Sequence, residues 1–400
     1  MDNPPDISKL PPAKLILYSL LPAIILLAAF EGGARLLEWV RPPLPADYGM
    51  GFDDDSRVFM PAGVLRPVMV TRPQKEISFV HQSFPTPKPP NTFRIFFLGE
   101  SNVNYLQWNI KKLAARLGGA DTRGRRFEII NAGGLAYGSQ RLLRVAREIV
   151  NYEPDMMLVY IGHNEFEELE QERLAEPQRA AVQRQVYRSA FMRLLRDTAA
   201  NARITWMRLR LAFSSLPPEV NYMATFGRDF SAAEIDRRMA EYRKNMGAIL
   251  ALCRDRQVPV IMGVMATNLW KPDLLDRYKD SKEEIARRYA AGDWQGGMAL
   301  ARRMLGTTPH HQASDVENGI IRDLAKEYGT TLVDIEAAIA RAEPHGVTGE
   351  TLLTDRCHVS QEGKEILIRE YERAIRRITG IPDSGSQPPP ATPDAAGGPG

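Results

Sequence analysis

The chain has 400 residues, 44% of them hydrophobic and 25% charged, a composition that supports a packed core in two or three domains or in one large α/β domain with insertions. Fifty-two basic residues stand against 49 acidic ones, a net charge of +3, so the composition gives no support to nucleic acid as a partner. The two cysteines, Cys253 and Cys357, form no Cys-x-x-Cys, which argues against both a zinc site and a disulfide scaffold.

The clearest physical signal comes first in the chain. Leu15 to Phe30, LILYSLLPAIILLAAF, is sixteen residues without a charge. As a helix it covers about 24 Å, short of a hydrocarbon layer of roughly 30 Å. Adding Gly32-Gly33-Ala34, with Lys14 and Arg35 reaching outward, brings it close to spanning length. We read residues 15-40 as a transmembrane anchor in the lipid bilayer, preceded by a flank, 1-14. A cleaved signal peptide, with Gly32-Gly33-Ala34 as its small-residue site, and a buried soluble helix are the alternatives. Lys9 and Lys14 balance Arg35 and Arg41, so charge does not set the orientation. The N-terminal position of the segment favours a signal anchor with the large domain outside the cytoplasm.

Residues 41-92 are rich in proline and read as a linker with a few edge strands, among them Val68-Met69-Val70 and Ile77-Ser78-Phe79-Val80. From Phe93 the texture changes to short apolar runs: Phe93 to Gly99, Phe127 to Ile130, Met156 to Ile161, Val258 to Met265 and Thr330 to Ile335. Helical patterns separate them at Tyr105 to Leu117, Gln140 to Asn151 and Asp236 to Arg254. Buried strands alternating with amphipathic helices predict a three-layer α/β/α sandwich around a parallel sheet of about five strands. Two helical insertions interrupt this 93-381 domain. Residues 166-239 are long and charged, with Tyr187, Phe191, Trp206, Leu209 and Phe213 among them. Residues 281-305 resemble a single tetratricopeptide hairpin, better suited to a brace or lid than to a peptide groove. The tail, 382-400, is dominated by Pro, Gly, Ser and Ala and is expected to be disordered.

Four polar motifs fall at the predicted carboxyl ends of strands or near the end of the domain, where open α/β sheets bind ligands. Gly99-Glu100-Ser101 releases a serine from a strand into a helix start, although serine there is also a good N-cap. Asp355-Arg356-Cys357-His358 sets a carboxylate three residues from an imidazole, close enough to orient it as a base. Gly162-His163-Asn164-Glu165 offers an asparagine amide to a developing oxyanion. Asn131-Ala132-Gly133-Gly134-Leu135-Ala136 is a small-residue loop through which a backbone amide can approach the same oxygen.

In this order the four motifs resemble the SGNH (GDSL-type) hydrolases, and their variants resemble a bacterial, membrane-anchored branch. The match covers about 93 to 165 and 258 to 370. The resemblance implies a flavodoxin-like fold and ester hydrolysis, with Ser101 as nucleophile, His358 as base and Asp355 as its orienting partner. It places Asn164 and the Ser101 amide in the oxyanion hole, on an acyl-ester substrate in glycan or lipid form, in the periplasm. Glu100 stands where that family has aspartate, and Glu165 replaces a second aspartate. Ala136 occupies the position of the family's oxyanion glycine, so Gly133 and Gly134 are alternative donors. His163 and Asn268 are candidates for facing substrate. His310 and His311 read as surface residues, and Cys357 as packing. No metal-ligand spacing appears, and hydrolysis of this kind needs no cofactor. An acyltransferase using the same residues, and a non-catalytic interaction module, are the rival functions.

Overall fold

The computed structural model describes residues 11–44, 46–53, 56–63, 67–175, 177–212, 230–308 and 310–382. The tail beyond 382, Phe213 and the first ten residues of the flank lie outside the described residues. The chain divides into two compact units, Met1–Asp53 with Ala175–Tyr222 and Asp54–Leu174 with Met223–Gly400.

The larger unit is built on five parallel strands: β4 (Thr92–Gly99), β5 (Arg126–Gly133), β6 (Met156–Tyr160), β7 (Val260–Val264) and β8 (Thr331–Asp334). Their order across the sheet is β5-β4-β6-β7-β8, with every pairing parallel. All five residues of both β6 and β7 are buried, which requires cover on both faces. The helices α4 (Ser139–Ile149), α8 (Ala232–Asp255) and α11 (Asp315–Tyr328) pack side by side as one layer. On the other side stand α3 (Gln107–Ala120), α13 (Gln361–Thr379) and α12 (Ile335–Ala342). This is the α/β/α sandwich expected from the sequence. Its reversal between β4 and β6 opens a crevice at the strands' carboxyl ends.

The proline-rich stretch is more than a linker. Three short strands, β1 (Phe59–Ala62), β2 (Val68–Thr71) and β3 (Ser83–Pro85), form an antiparallel sheet. Phe59, Phe79 and Phe84 from this region are buried in the main core. Glu148 of α4 accepts the Val58 and Phe59 amides at 2.6 and 2.9 Å, which anchors the first strand. The strand expected at Ile77 to Val80 is instead a turn, closed by the Phe79 amide on the Lys75 carbonyl at 2.8 Å. Burial of Phe79 edge-on to Tyr137, at 4.9 Å between centroids, outweighs the local β pattern.

The first insertion differs from its sequence reading, and the second is the helix pair expected. Helix α5 (Glu165–Ala175) belongs almost wholly to the larger unit, because Glu165 and Glu168 turn inward onto buried arginines. The helix pair α9 (Lys279–Ala290) and α10 (Trp294–Thr307) shares a small core with Leu269, Leu274 and Val347. It braces the loop leading to Asp355: Trp294 stacks on His345 at 3.9 Å, and Tyr289 donates to the Leu269 carbonyl at 3.0 Å.

In the smaller unit, α1 (Pro12–Val40) runs beside α7 (Ala190–Ala212), with α6 (Pro177–Val186) also present. Ile16–Val40 is long and apolar enough to cross a membrane, at mean hydropathy 1.8. Glu31 accepts from the Ser189 hydroxyl and the Ala190 and Phe191 amides at 2.6 to 3.1 Å, satisfying the first turn of α7. Phe30 stacks on Phe191 at 5.1 Å, and Arg193 pairs with Glu38 at 2.7 Å.

Candidate active site

The register of the sheet brings the motifs together before any side chain is considered. Gly99 of β4 lies opposite Gly133 of β5 and Tyr160 of β6, so the segments that follow leave the sheet side by side. A Cβ on Gly99 would lie 2.6 Å from the Tyr160 carbonyl, and one on Gly133 2.8 Å from the Val103 carbonyl carbon. Both positions need glycine for that approach. Asn131 donates to the Val103 and Asn104 carbonyls at 2.9 and 3.1 Å, while Asn104 donates to Gly133 at 2.9 Å. These bonds lock the short helix α2 (Ser101–Asn104) to the end of β5.

Ser101 begins α2, and its Oγ lies 2.7 Å from His358 Nε2. His358 Nδ1 lies 2.7 Å from Asp355 Oδ2, while Asp355 Oδ1 accepts the Cys357 and His358 amides at 2.9 and 2.8 Å. Burial alone would raise the Asp355 carboxyl, but the imidazole and the two amides hold it well below the usual carboxylate range. It therefore stays ionised and fixes the imidazole with Nε2 toward the serine. Asn102 grips the same loop from both sides of the histidine. Its Nδ2 donates to the Cys357 carbonyl at 2.8 Å, and its Oδ1 accepts the Val359 amide at 3.1 Å.

Three donors remain for a developing negative charge. Among the described residues, neither the Ser101 nor the Ala136 amide has an acceptor. Asn164 Nδ2 gives one hydrogen to the Tyr137 carbonyl at 3.1 Å and keeps the second. Ala136 adopts a left-handed backbone, φ 59°, the conformation for which glycine is suited. Arg141 holds it there by donating to its carbonyl. Gly133 and Gly134 do not share the donor role: their amides are spent on Asn131 Oδ1 and the Gly99 carbonyl, each at 2.9 Å.

Glu100 does more than stand in for an aspartate. Its buried carboxylate accepts the Gly162, His163 and Asn164 amides at 3.1, 2.9 and 3.1 Å, tying the asparagine loop to the residue before the serine. Burial, with Glu165 nearby, raises this carboxyl against the pull of the three amides. Behind the Ala136 loop lies a buried ion network. Glu168 accepts the Gly138, Gln140 and Arg141 amides and pairs with Arg141 and Arg238 at 2.9 Å each. Burial would raise Glu168, but the two arginines bring it below the ordinary range, whereas burial carries Glu165 up to about 7 despite Arg238.

Of the remaining candidates, Asn268, His310 and His311 are placed differently from their sequence reading, whereas Cys357 is packed as expected. Asn268 spends its side chain on scaffolding, donating to the Asp355 carbonyl at 2.8 Å and accepting the Lys271 amide at 2.7 Å. His163 is buried, and its Nδ1 accepts the Ala313 amide at 2.9 Å, so the ring is neutral with its proton on Nε2. Burial, reinforced by His358, pushes it down to about 3. His310 and His311 are buried, contrary to the surface reading. His310 donates to the Thr308 carbonyl at 2.6 Å, packs edge-on to Phe166 and faces Glu317 at 3.4 Å. Cys357 is buried, and burial pushes its thiol well up. Asp355, Cys357 and His358 gather three potential ligand atoms within 4.8 Å, yet His358 Nδ1 is already committed to Asp355. An open cleft of about 420 Å³ lies against the histidine, lined by Lys271, Pro272, Asp273, Asp355, Arg356 and His358.

Neither Glu100 nor Asn102 emerges from the sequence as functional. Both flank the serine, but their partners lie about 60 and 255 positions away, and nothing local points to them.

No family model matches the chain, and no curated protein matches it. Among solved structures, it is similar to an acetyl xylan esterase at 14% identity and a TM-score of 0.39, over 70% of this chain and 99% of that one. An acetylxylan esterase of Geobacillus stearothermophilus is similar at 14% identity and a TM-score of 0.38, over 70% and 93%. A GDSL-like lipase of Bacteroides thetaiotaomicron is similar at 12% identity and a TM-score of 0.34, over 72% and 89%.

Proposed function

We propose that this chain is a serine hydrolase acting on acyl esters. More narrowly, it is an esterase of the SGNH type, held to a membrane by residues 15-40 with its catalytic unit on the extracytoplasmic side. The observation that carries the reading is the continuous relay from Ser101 Oγ to His358 to Asp355, with both contacts at 2.7 Å. The first link has the length at which a base takes a proton from a hydroxyl, and the second is a hydrogen bond that orients the imidazole.

In the reaction, Ser101 Oγ attacks the ester carbonyl while His358 Nε2 takes its proton. Asp355 stabilises the imidazolium and is not itself protonated. The Ser101 and Ala136 amides and the free Asn164 hydrogen receive the oxyanion. Collapse of the tetrahedral intermediate expels the alcohol, which leaves with the proton from His358. Water, activated by the same imidazole, then releases the acyl group from Ser101 and restores the enzyme. Glu100 and Asn102 act as positioning residues, the first for Asn164 and the second for His358.

The test is hydrolysis of p-nitrophenyl acetate by the full chain in detergent. Wild type turns over without any sugar acceptor, and Ser101→Ala loses activity by a factor on the order of 10³ or more. A folded wild type that releases nitrophenol only when a sugar hydroxyl is supplied would point to acyl transfer.

A further inference from the structure

Three large apolar side chains stand in solvent around the nucleophile: Ile77 at 81% exposure, Tyr105 at 48% and Trp108 at 64%. They form one rim. Asn104 Nδ2 donates to the Ser78 carbonyl at 3.0 Å, which sets Ile77 beside the Asn104–Tyr105 turn, and Trp108 follows three residues later. The Tyr105 ring lies 5.2 Å from the His358 ring, so the rim reaches the catalytic base. Around it stand Lys111, Lys112 and Lys364, none with a carboxylate partner among the described residues.

The aromatic column of Trp270, Tyr289, Trp294 and His345 is consumed in its own stacking. The cleft beside His358 carries balanced charges, with Arg356 already facing Glu167 and Asp273. The rim's rings carry lysine heads on one side and stay open to solvent elsewhere. Tyrosine and tryptophan with flanking lysines make up the belt that proteins place at a membrane–water boundary. Lysine heads add attraction to anionic lipid. A sugar would need open ring faces. Here Lys112 lies over Trp108 at 5.6 Å and Lys364 over Tyr105 at 5.8 Å, and Ile77 offers no stacking at all.

We infer that this rim seats the active site on an anionic lipid surface, so that the ester it hydrolyses is carried by a lipid. The inference rests on the hydrolase reading and narrows its substrate class. Seating is a separate matter from anchoring, because a chain tethered by α1 still has to turn its active site to the bilayer.

The test uses the full chain in phospholipid nanodiscs containing phosphatidylglycerol, with a fluorogenic acyl ester embedded in the lipid and p-nitrophenyl acetate as the water-soluble control. Two double variants are compared with wild type, Ile77→Ser with Trp108→Ala, and Lys111→Glu with Lys112→Glu. The embedded ester is hydrolysed at least about tenfold more slowly by each, while turnover of p-nitrophenyl acetate stays within about twofold. Replacing phosphatidylglycerol by phosphatidylcholine slows wild type on the embedded ester and removes the effect of the lysine changes. Unchanged hydrolysis of the embedded ester by both variants, with wild type active on the soluble ester, overturns lipid seating alone. So does loss confined to an acetylated soluble polysaccharide, which would make the rim a glycan surface. A wild type inert toward both esters overturns the hydrolase reading itself.

Discussion

At the scale of single residues, the proposed site depends on the unspent hydrogens of the Ser101 and Ala136 amides and of Asn164, and on a buried, neutral His163. Asn164→Ala removes one donor without disturbing the serine, and kcat is expected to fall about 10²–10³-fold with a smaller change in KM. Ala136 sits at φ 59°, so Ala136→Gly relieves a steric cost while keeping the amide. Its kcat should stay within a few-fold, and its unfolding free energy within about 1 kcal/mol of wild type. His163 gives a pH signature. The unfolded chain takes up a proton near 6.5, whereas burial delays uptake in the folded chain to about 3. Stability therefore falls as pH drops through that window, with a slope of up to about 1.4 kcal/mol per pH unit from this group. Urea unfolding at pH 7, 6 and 5 should show a shallower decline for His163→Gln, and parallel curves would refute the assignment. Ser101, Asn164, Asp355 and His358 stand out in the sequence because each lies in a short polar motif next to an apolar run. Gly133 and Asn268 show where that reasoning stops: both lie in the right loops, but hydrogen bonds to distant segments decide which groups remain free.

At the scale of elements, two short loops are held against α2 by residues beside Ser101. Glu100→Ala leaves three buried amides unpaired, each costing about 1–3 kcal/mol. Its kcat should fall more than its KM rises, with partial recovery in Glu100→Gln, whose carbonyl oxygen still accepts. Asn102→Ala frees the segment around His358 and should lower kcat roughly tenfold to a hundredfold while a fluorescence-monitored Tm drops only a few degrees. A fall in kcat that only matches the loss of folded protein measured by circular dichroism, with KM unchanged, would argue for a general folding defect. The five parallel strands are legible because buried β6 and β7 are near-continuous apolar runs bounded by turns. Of the small β1–β3 sheet only β2 is legible, as the edge strand at Val68-Met69-Val70, because the rest depends on Glu148 and on Phe59 and Phe84 reaching the main core. The inward turn of Glu165 and Glu168 is equally hidden, since on a helical wheel they look like any solvated acidic pair.

At the scale of the whole molecule, an apolar helix and an α/β/α unit share one chain. If residues 15-40 remain as an anchor, the protein fractionates with membranes, is released by detergent and not by alkaline carbonate, and keeps its N-terminus. A mature chain beginning near Ala34 would favour the signal-peptide alternative. The helix itself is legible from sixteen uncharged residues in a row, but the Glu31 contact with the first turn of α7 is not, because its partners lie about 160 positions away. The central claim is that Ser101 is a nucleophile activated by His358. Labelling of the full chain with a fluorophosphonate, followed by peptide mass analysis, tests it most directly. One adduct on Ser101, absent in Ser101→Ala and formed at least about 10²-fold more slowly in His358→Ala, is the predicted result. A folded chain that takes up no label, or takes it up on another residue at an unchanged rate in His358→Ala, would contradict it.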